Sequence, residues 1–130
     1  MTKKPETVNR EDLILKKDSL IYKKYAKVPF TGTLEEFFEN GQLRHRKYYK
    51  NGVQEGLYEW FHKNGQLRNR QNYKDGELHG PYQSFHFNGQ LDEKGNYKNE
   101  KKEGLWEYFY KNGKCITRVT FKNGKRVAKA

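Results

Sequence analysis

The sequence predicts an all-β fold, an elongated single-layer antiparallel β-meander made of four 24-residue hairpin repeats behind a short N-terminal cap. Three observations carry that prediction: a constant internal period, two turn signals in every period, and a chain that is poor in aliphatic residues but rich in aromatic ones.

The period is legible by eye. Asn-Gly recurs at Asn40, Asn64, Asn88 and Asn112, always 24 residues apart and without insertions. The same interval links Phe37, Phe61, Phe85 and Phe109, the series Tyr49, Tyr73, Tyr97 and Phe121, and the lysines Lys50, Lys74, Lys98 and Lys122. A fixed period of this length means stacked copies of one supersecondary unit. The repeats are assigned to 32–55, 56–79, 80–103 and 104–127.

Each unit holds Asn-Gly and, further on, Asn51-Gly52, Asp75-Gly76 or Asn123-Gly124; the third copy departs with Asn99-Glu100. Such pairs favour the positive φ angles of tight hairpin turns. The segments between them are too short for a useful helix and rich in strand formers, as in Leu57 to His62 and Leu105 to Tyr110. If Asn-Gly is a two-residue loop, Glu35 faces Arg46, Glu59 faces Arg70, Gln83 faces Lys94 and Glu107 faces Arg118. Opposite charges in three of these four pairs support the register.

Alternation along a strand then sorts the side chains. One face is expected to carry Tyr58, Trp60, His62, Leu67 and Tyr73, then Tyr82, His86, Leu91 and Tyr97, then Trp106, Tyr108, Tyr110, Cys115 and Phe121. The other carries the Phe series among Glu35, Glu59, Arg44, Arg46, Arg68, Arg70 and Arg118, which makes it basic. Units should advance by about 10 Å, twice the strand spacing.

Residues 1–31 do not repeat and are read as an N-terminal arm and capping hairpin. Leu13 to Leu15 and Leu20 to Tyr22 flank the polar turn Lys16 to Ser19, and Val28-Pro29-Phe30 is an extended entry to the first unit. The start is expected to fray. A tail from Arg126, leaving the repeats at 128–130, is expected to be loose.

Hydrophobic residues make up only 33% and the formal net charge is +11, a composition near that of disordered chains. Aromatics at 15% argue otherwise, because flat amphipathic rings can cover a sheet even where they cannot fill a thick core. Cys115 is the single cysteine, so no intrachain disulfide is expected. With neither a secretory leader nor a membrane-length apolar run, the sequence reads as a soluble, cytoplasmic protein.

Candidate chemistry is sparse. His86 lies two residues from Ser84 on the same expected face, but His62 and His86 occupy the position of Phe38 and Tyr110 in other copies and read as packing rings. One unit apart, those histidines are too distant to share a metal ion. Cys115 stands in a leucine column and reads as a small buried hydrophobe. The glycines match no phosphate-binding fingerprint, and Glu35 and Glu36 fall on opposite faces. The expectation is no enzyme, no cofactor and no metal.

The recurring Phe-x-x-Asn-Gly-Gln-Leu, followed by Tyr-Lys-[Asn/Asp]-Gly-x-x-x-Gly-x-[Tyr/Trp], resembles the variant MORN repeat. From Gly32 to about Val127, with the lead-in Val28-Pro29-Phe30-Thr31-Gly32, the chain is similar to the YwqK-type antitoxin family of bacteria. That resemblance implies MORN-like hairpin repeats and neutralisation of a partner, and supplies no catalytic residues. The expected function is a protein-binding repeat module of antitoxin or immunity type, occluding a partner protein such as a toxin encoded nearby. Phe61, Phe85, Arg68, Arg70, Trp60 and Tyr82 are the expected central contacts, since aromatics and arginines anchor interfaces. The alternative is a basic scaffold for anionic membrane lipid or single-stranded nucleic acid, since arginines interleaved with rings suit phosphates and bases. Self-association through open sheet edges is a further expectation.

Overall fold

The computed structural model describes residues 6–127, so the expected frayed start and the tail at 128–130 lie outside the described residues. The strands are β1 Glu6–Val8, β2 Leu13–Leu15, β3 Ile21–Lys23, β4 Gly32–Phe37, β5 Leu43–Lys50, β6 Val53–Phe61, β7 Leu67–Lys74, β8 Glu77–Leu78, β9 Gly80–Phe85, β10 Leu91–Lys98, β11 Lys101–Phe109, β12 Cys115–Lys122 and β13 Lys125–Arg126. All but β2 and β3 belong to one 11-stranded sheet, in which β4 through β12 follow the order of the chain except that β7 pairs directly with β9 and the two-residue β8 pairs with β7 beside that path. The meander is as the repeat predicts.

Two features at the ends depart from it. β1 pairs in parallel with β4, Glu6 opposite Gly32 and Val8 opposite Leu34, so the sheet is mixed and its first edge is covered. At the other end Arg126 pairs with Phe121, and the Val127 N–H donates to the Thr120 carbonyl at 2.8 Å, so the chain is held past Arg126 where a loose tail was expected.

β2 and β3 form the hairpin foreseen between Leu13 and Tyr22. It is tied to the first repeat by the Ile21 N–H to the Gly52 carbonyl and the Phe30 N–H to the Ile21 carbonyl. Val8, Phe30, Leu34 and Tyr49 are buried together here, with Leu13 and Ile21 against them. This small core consists of cap residues packed on the first repeat.

The predicted pairs Glu35–Arg46, Glu59–Arg70, Gln83–Lys94 and Glu107–Arg118 are all present. The turn that produces them is different. At Asn51-Gly52 both residues have positive φ, +50° and +83°, as a two-residue hairpin loop requires. At Asn40-Gly41 only the glycine does, at +88°. There the Phe38 N–H donates to the Gln42 carbonyl and the Gly41 N–H to the Phe38 carbonyl, giving a three-residue loop whose Asn40 Oδ1 accepts from the Gln42 N–H at 2.9 Å.

One step inward, Phe37 faces Leu43 but Glu36 faces His45, which leaves Arg44 as a bulge. The extra loop residue and the bulge residue cancel, so beyond the bulge the register equals that of a two-residue loop. Between turn and bulge the faces are exchanged. Leu43, Leu67, Leu91 and Cys115 stand opposite Phe37, Phe61, Phe85 and Phe109 and therefore share the Phe face. Arg44 and Arg68 turn to the aromatic face, where they lie over the rings of Phe38 and Trp60 at 5.0 and 5.8 Å. Both assignments correct the simple alternation. Cys115, expected to be buried, is exposed.

The repeats join by the same bonds each time. Asn40, Asn64 and Asn88 donate through Nδ2 to the carbonyls of Lys63, Phe87 and Lys111, one turn to the next, at 2.9 to 3.2 Å. Charge does the same on the Phe face. Across the seams Arg46 faces Glu59, Arg70 faces Gln83 and Lys94 faces Glu107, so a row of acidic and basic residues, interrupted only by the neutral Gln83, runs from Glu35 on β4 to Arg118 on β12.

The odd third turn keeps the geometry of its relatives: the Glu100 N–H donates to the Leu78 carbonyl, as Gly52, Gly76 and Gly124 do in theirs, but Glu100 sits at φ +69°. A non-glycine residue there costs about 1–2 kcal/mol. Glu100→Gly should raise stability by about 1 kcal/mol in urea denaturation.

Candidate binding face

On the aromatic face a belt of rings runs across the repeats. His45 and Trp60 lie 4.5 Å apart between centroids, Tyr58 and Trp60 5.5 Å, and Tyr58 and Tyr73 6.0 Å. A second group gathers around Trp106, with Tyr82 at 5.5 Å and Tyr97 at 5.1 Å. Lys102 Nζ sits 4.5 Å from the Trp106 ring and 5.2 Å from that of Phe121, a cation held against aromatic faces.

Trp106 is 0% exposed, although it lies in a single-layer sheet. It can be covered because its neighbour across the strands is Gly95: a Cβ there would stand 2.1 Å from Trp106 Cδ2. The indole therefore rests on bare backbone and its Nε1–H donates to the Asn96 carbonyl at 3.0 Å. The glycine, tryptophan and surrounding tyrosines form one packed unit.

Between the cap and the belt is a cleft of about 520 Å³ lined by Leu13, Ile14, Ile21, His45, Tyr58 and Trp60 among others. His45 is buried, with Nε2 3.3 Å from Glu36 Oε1 and Nδ1 without a hydrogen-bond partner among the described residues. A second cleft, about 350 Å³, lies over the second and third repeats and includes His62, Arg68, Tyr82, Ser84, His86 and Asp92.

The six residues expected at a contact surface do not share one. Trp60, Tyr82 and Arg68 lie on the aromatic face, with Arg68 and Tyr82 lining the same cleft. Phe61 and Arg70 lie on the opposite face, where Phe61 faces Leu67 and Arg70 Nε donates to Gln83 Oε1 at 3.1 Å. Phe85 faces Leu91 on that same side, and also contributes to the rim of the cleft. Alternation alone grouped Arg68 with the wrong partners.

His62 and His86 are more than packing rings. Each ring nitrogen Nε2 donates to a carbonyl of the next repeat, His62 to Phe85 at 3.0 Å and His86 to Phe109 at 2.9 Å. Asp92 was missed by sequence reasoning; its oxygens lie 3.4 Å from both His86 Nε2 and Ser84 Oγ. The signal was its place in the column of Arg44 and Arg68. Ser84 Oγ bonds to the carboxylate rather than to the imidazole, and Nε2 is held by a carbonyl, which is not the relay of a serine nucleophile. No group of three His, Cys, Asp or Glu side chains suited to a metal ion occurs among the described residues. Among the described residues no helix is long and apolar enough to cross a membrane.

Burial pushes the Tyr58 and Tyr82 hydroxyls up to about 12. The folded protein therefore keeps protons that the unfolded chain gives up near pH 10. The tyrosines take nothing from stability below pH 10 and should lower it as pH rises toward 12. The double change Tyr58→Phe and Tyr82→Phe should flatten this decline in denaturation midpoints taken from pH 8 upward. Burial holds His45 below its usual 6.5, with Glu36 opposing the effect. That contribution is present above pH 6.5 and is lost as pH falls, and His45→Gln should remove it.

A family model described as MORN repeat variant matches the chain four times, at 30–51, 54–75, 78–99 and 102–123, more than half of its length. No curated protein matches it.

Proposed function

The chain belongs to the MORN repeat variant family, whose repeats are protein- or lipid-binding modules, and from that premise we propose that it is a non-enzymatic bacterial antitoxin or immunity-type protein, cytoplasmic, neutralising a partner protein by steric occlusion. The supporting observation is that Trp60 and Tyr82 lie on one face with Arg68 between them, over the Trp60 ring and lining a cleft with Tyr82, since large rings and arginines supply most of the energy at interfaces. A surface of this kind binds by complementarity and needs no reacting group. With a net charge of +11, the favoured partner surface is acidic or mixed.

Co-expression with neighbouring gene products, followed by size exclusion, tests this. A toxin should co-elute, and Tyr82→Ala and Arg68→Ala should each weaken the complex about tenfold or more. A protein that elutes alone with every neighbouring product refutes the reading.

A second reading has its own observation. Lys50, Lys74, Lys98 and Lys122, one per repeat beside the second turn, are all exposed. Such a row suits an anionic lipid surface or the phosphates of a single strand. Binding to phosphatidylserine vesicles or to an oligonucleotide that is lost steeply with salt supports it.

A further inference from the structure

At the cap end of the sheet the outer edge is occupied, β1 covering β4. At the other end, among the described residues, β12 meets only the two residues of β13, at Phe121 and Lys122, and the Val127 N–H at Thr120. Among the described residues, the bonds that join one repeat to the next have their last members at the fourth repeat. The Asn112 side chain accepts from the Lys114 N–H like its relatives, but among the described residues it has no following turn to which it donates. Tyr110 stands where His62 and His86 reach to the next repeat, and is 54% exposed. Tyr110 and Ile116 border an open, largely apolar hollow of about 670 Å³.

The charge row stops at the same place. Arg46 lies between two carboxylates, with Glu35 of its own hairpin at 2.8 Å and Glu59 of the following repeat at 3.7 Å. Arg118 has only the first kind, Glu107 at 2.9 Å, and its side chain is 60% exposed. The Thr120 carbonyl faces away from β11 to accept the Val127 N–H, so two residues earlier the Arg118 backbone faces the same way. Among the described residues nothing pairs with the Arg118 backbone on that side, and beside it stands an arginine with one carboxylate where Arg46 has two.

We infer that the outer edge of β12 takes up an extended acidic segment of a partner protein as one more antiparallel strand, with a carboxylate opposite Arg118. Main-chain bonds supply the attachment and the row of charge supplies the register, as in strand addition to a sheet edge. The occupant is not a second β12. That strand carries Arg118 and Lys122 and no acidic residue, so self-pairing sets cation against cation or against neutral residues. The inference does not depend on the partner being a toxin or on the aromatic face being used.

The probe is a blocked, fluorescent nine-residue peptide with the sequence of β6, Val53–Phe61, which is the strand that sets Glu59 against Arg46. Its anisotropy is titrated with the full chain, beside a peptide carrying Glu59→Lys. The acidic peptide should bind at least about fivefold tighter, Arg118→Glu should reverse that preference, and Arg118→Pro should abolish binding, since proline is tolerated on an edge but removes the outward N–H. Circular dichroism checks the folding of each variant. Should Arg118→Pro not fold, amide exchange on the unaltered protein decides, with protection expected at Arg118 on adding peptide. Equal binding of the two peptides, no protection at Arg118, or dimerisation through β12 without peptide overturns the inference. A toxin that binds with the Arg118 amide still exchanging freely overturns it too, and leaves the proposed function standing.

Discussion

Replacing Trp106 by alanine should cost about 3–5 kcal/mol, the range for emptying a fully buried aromatic site. The side chain is the largest that is completely enclosed, boxed by Tyr82, Tyr97, Tyr108 and Phe121 and bonded to the Asn96 carbonyl. Gly95→Ala attacks the same unit from below. Its methyl group would stand 2.1 Å from the indole, and the surrounding rings leave nowhere for the indole to move, so a loss of about 3 kcal/mol is expected. The two changes should not add. Once the indole is gone the three atoms nearest the methyl group are gone with it, and the double variant should be little worse than Trp106→Ala alone. A double-mutant cycle in urea measures this directly, and additive losses would show that the indole does not rest on Gly95.

Phe30→Ala should cost a similar 3–5 kcal/mol, but at the other end of the molecule. The Phe30 side chain is 4% exposed, sits 6.1 Å from Tyr49 and packs with Val8 and Leu34 between cap and first repeat, while its backbone bonds to Ile21 and Gly52 are kept by alanine. In a stack where each unit touches only its neighbours, damage stays near its source. Hydrogen exchange should therefore quicken from β1 to β4 in Phe30→Ala while β9 to β12 stay protected, and Trp106→Ala should give the opposite pattern. Uniform loss of protection in both would mean that the sheet unfolds as one cooperative unit.

Much of the architecture was legible because it is written in the repeat. Asn-Gly at a constant interval, facing Glu and Arg, and strand-forming residues between them lead to the meander and its central pairings without any coordinates. The candidate site was legible only in part. Trp60 and Tyr82 fall on the face assigned to them, because they lie on the strand before the turn, where alternation is uninterrupted. Arg68 and Leu67 lie just after it, and there counting failed: a loop of three and a bulge of one give the same sum as a loop of two. Asp92 beside Ser84 and His86, and the unpartnered nitrogen of His45, depend on which strands become neighbours. Neither follows from spacing along the chain.

The sequence by itself determined the period, the strands of the repeats, where the hairpins turn and which charges face one another within each hairpin, since all of these follow from local backbone preference and alternation. Tertiary structure decided the rest: that β1 closes one edge in parallel, that Arg44 and Arg68 lie over aromatic rings, and that Trp106 is buried on Gly95. These depend on bulges and on the approach of residues distant along the chain, where several local geometries satisfy the same sequence and packing selects among them.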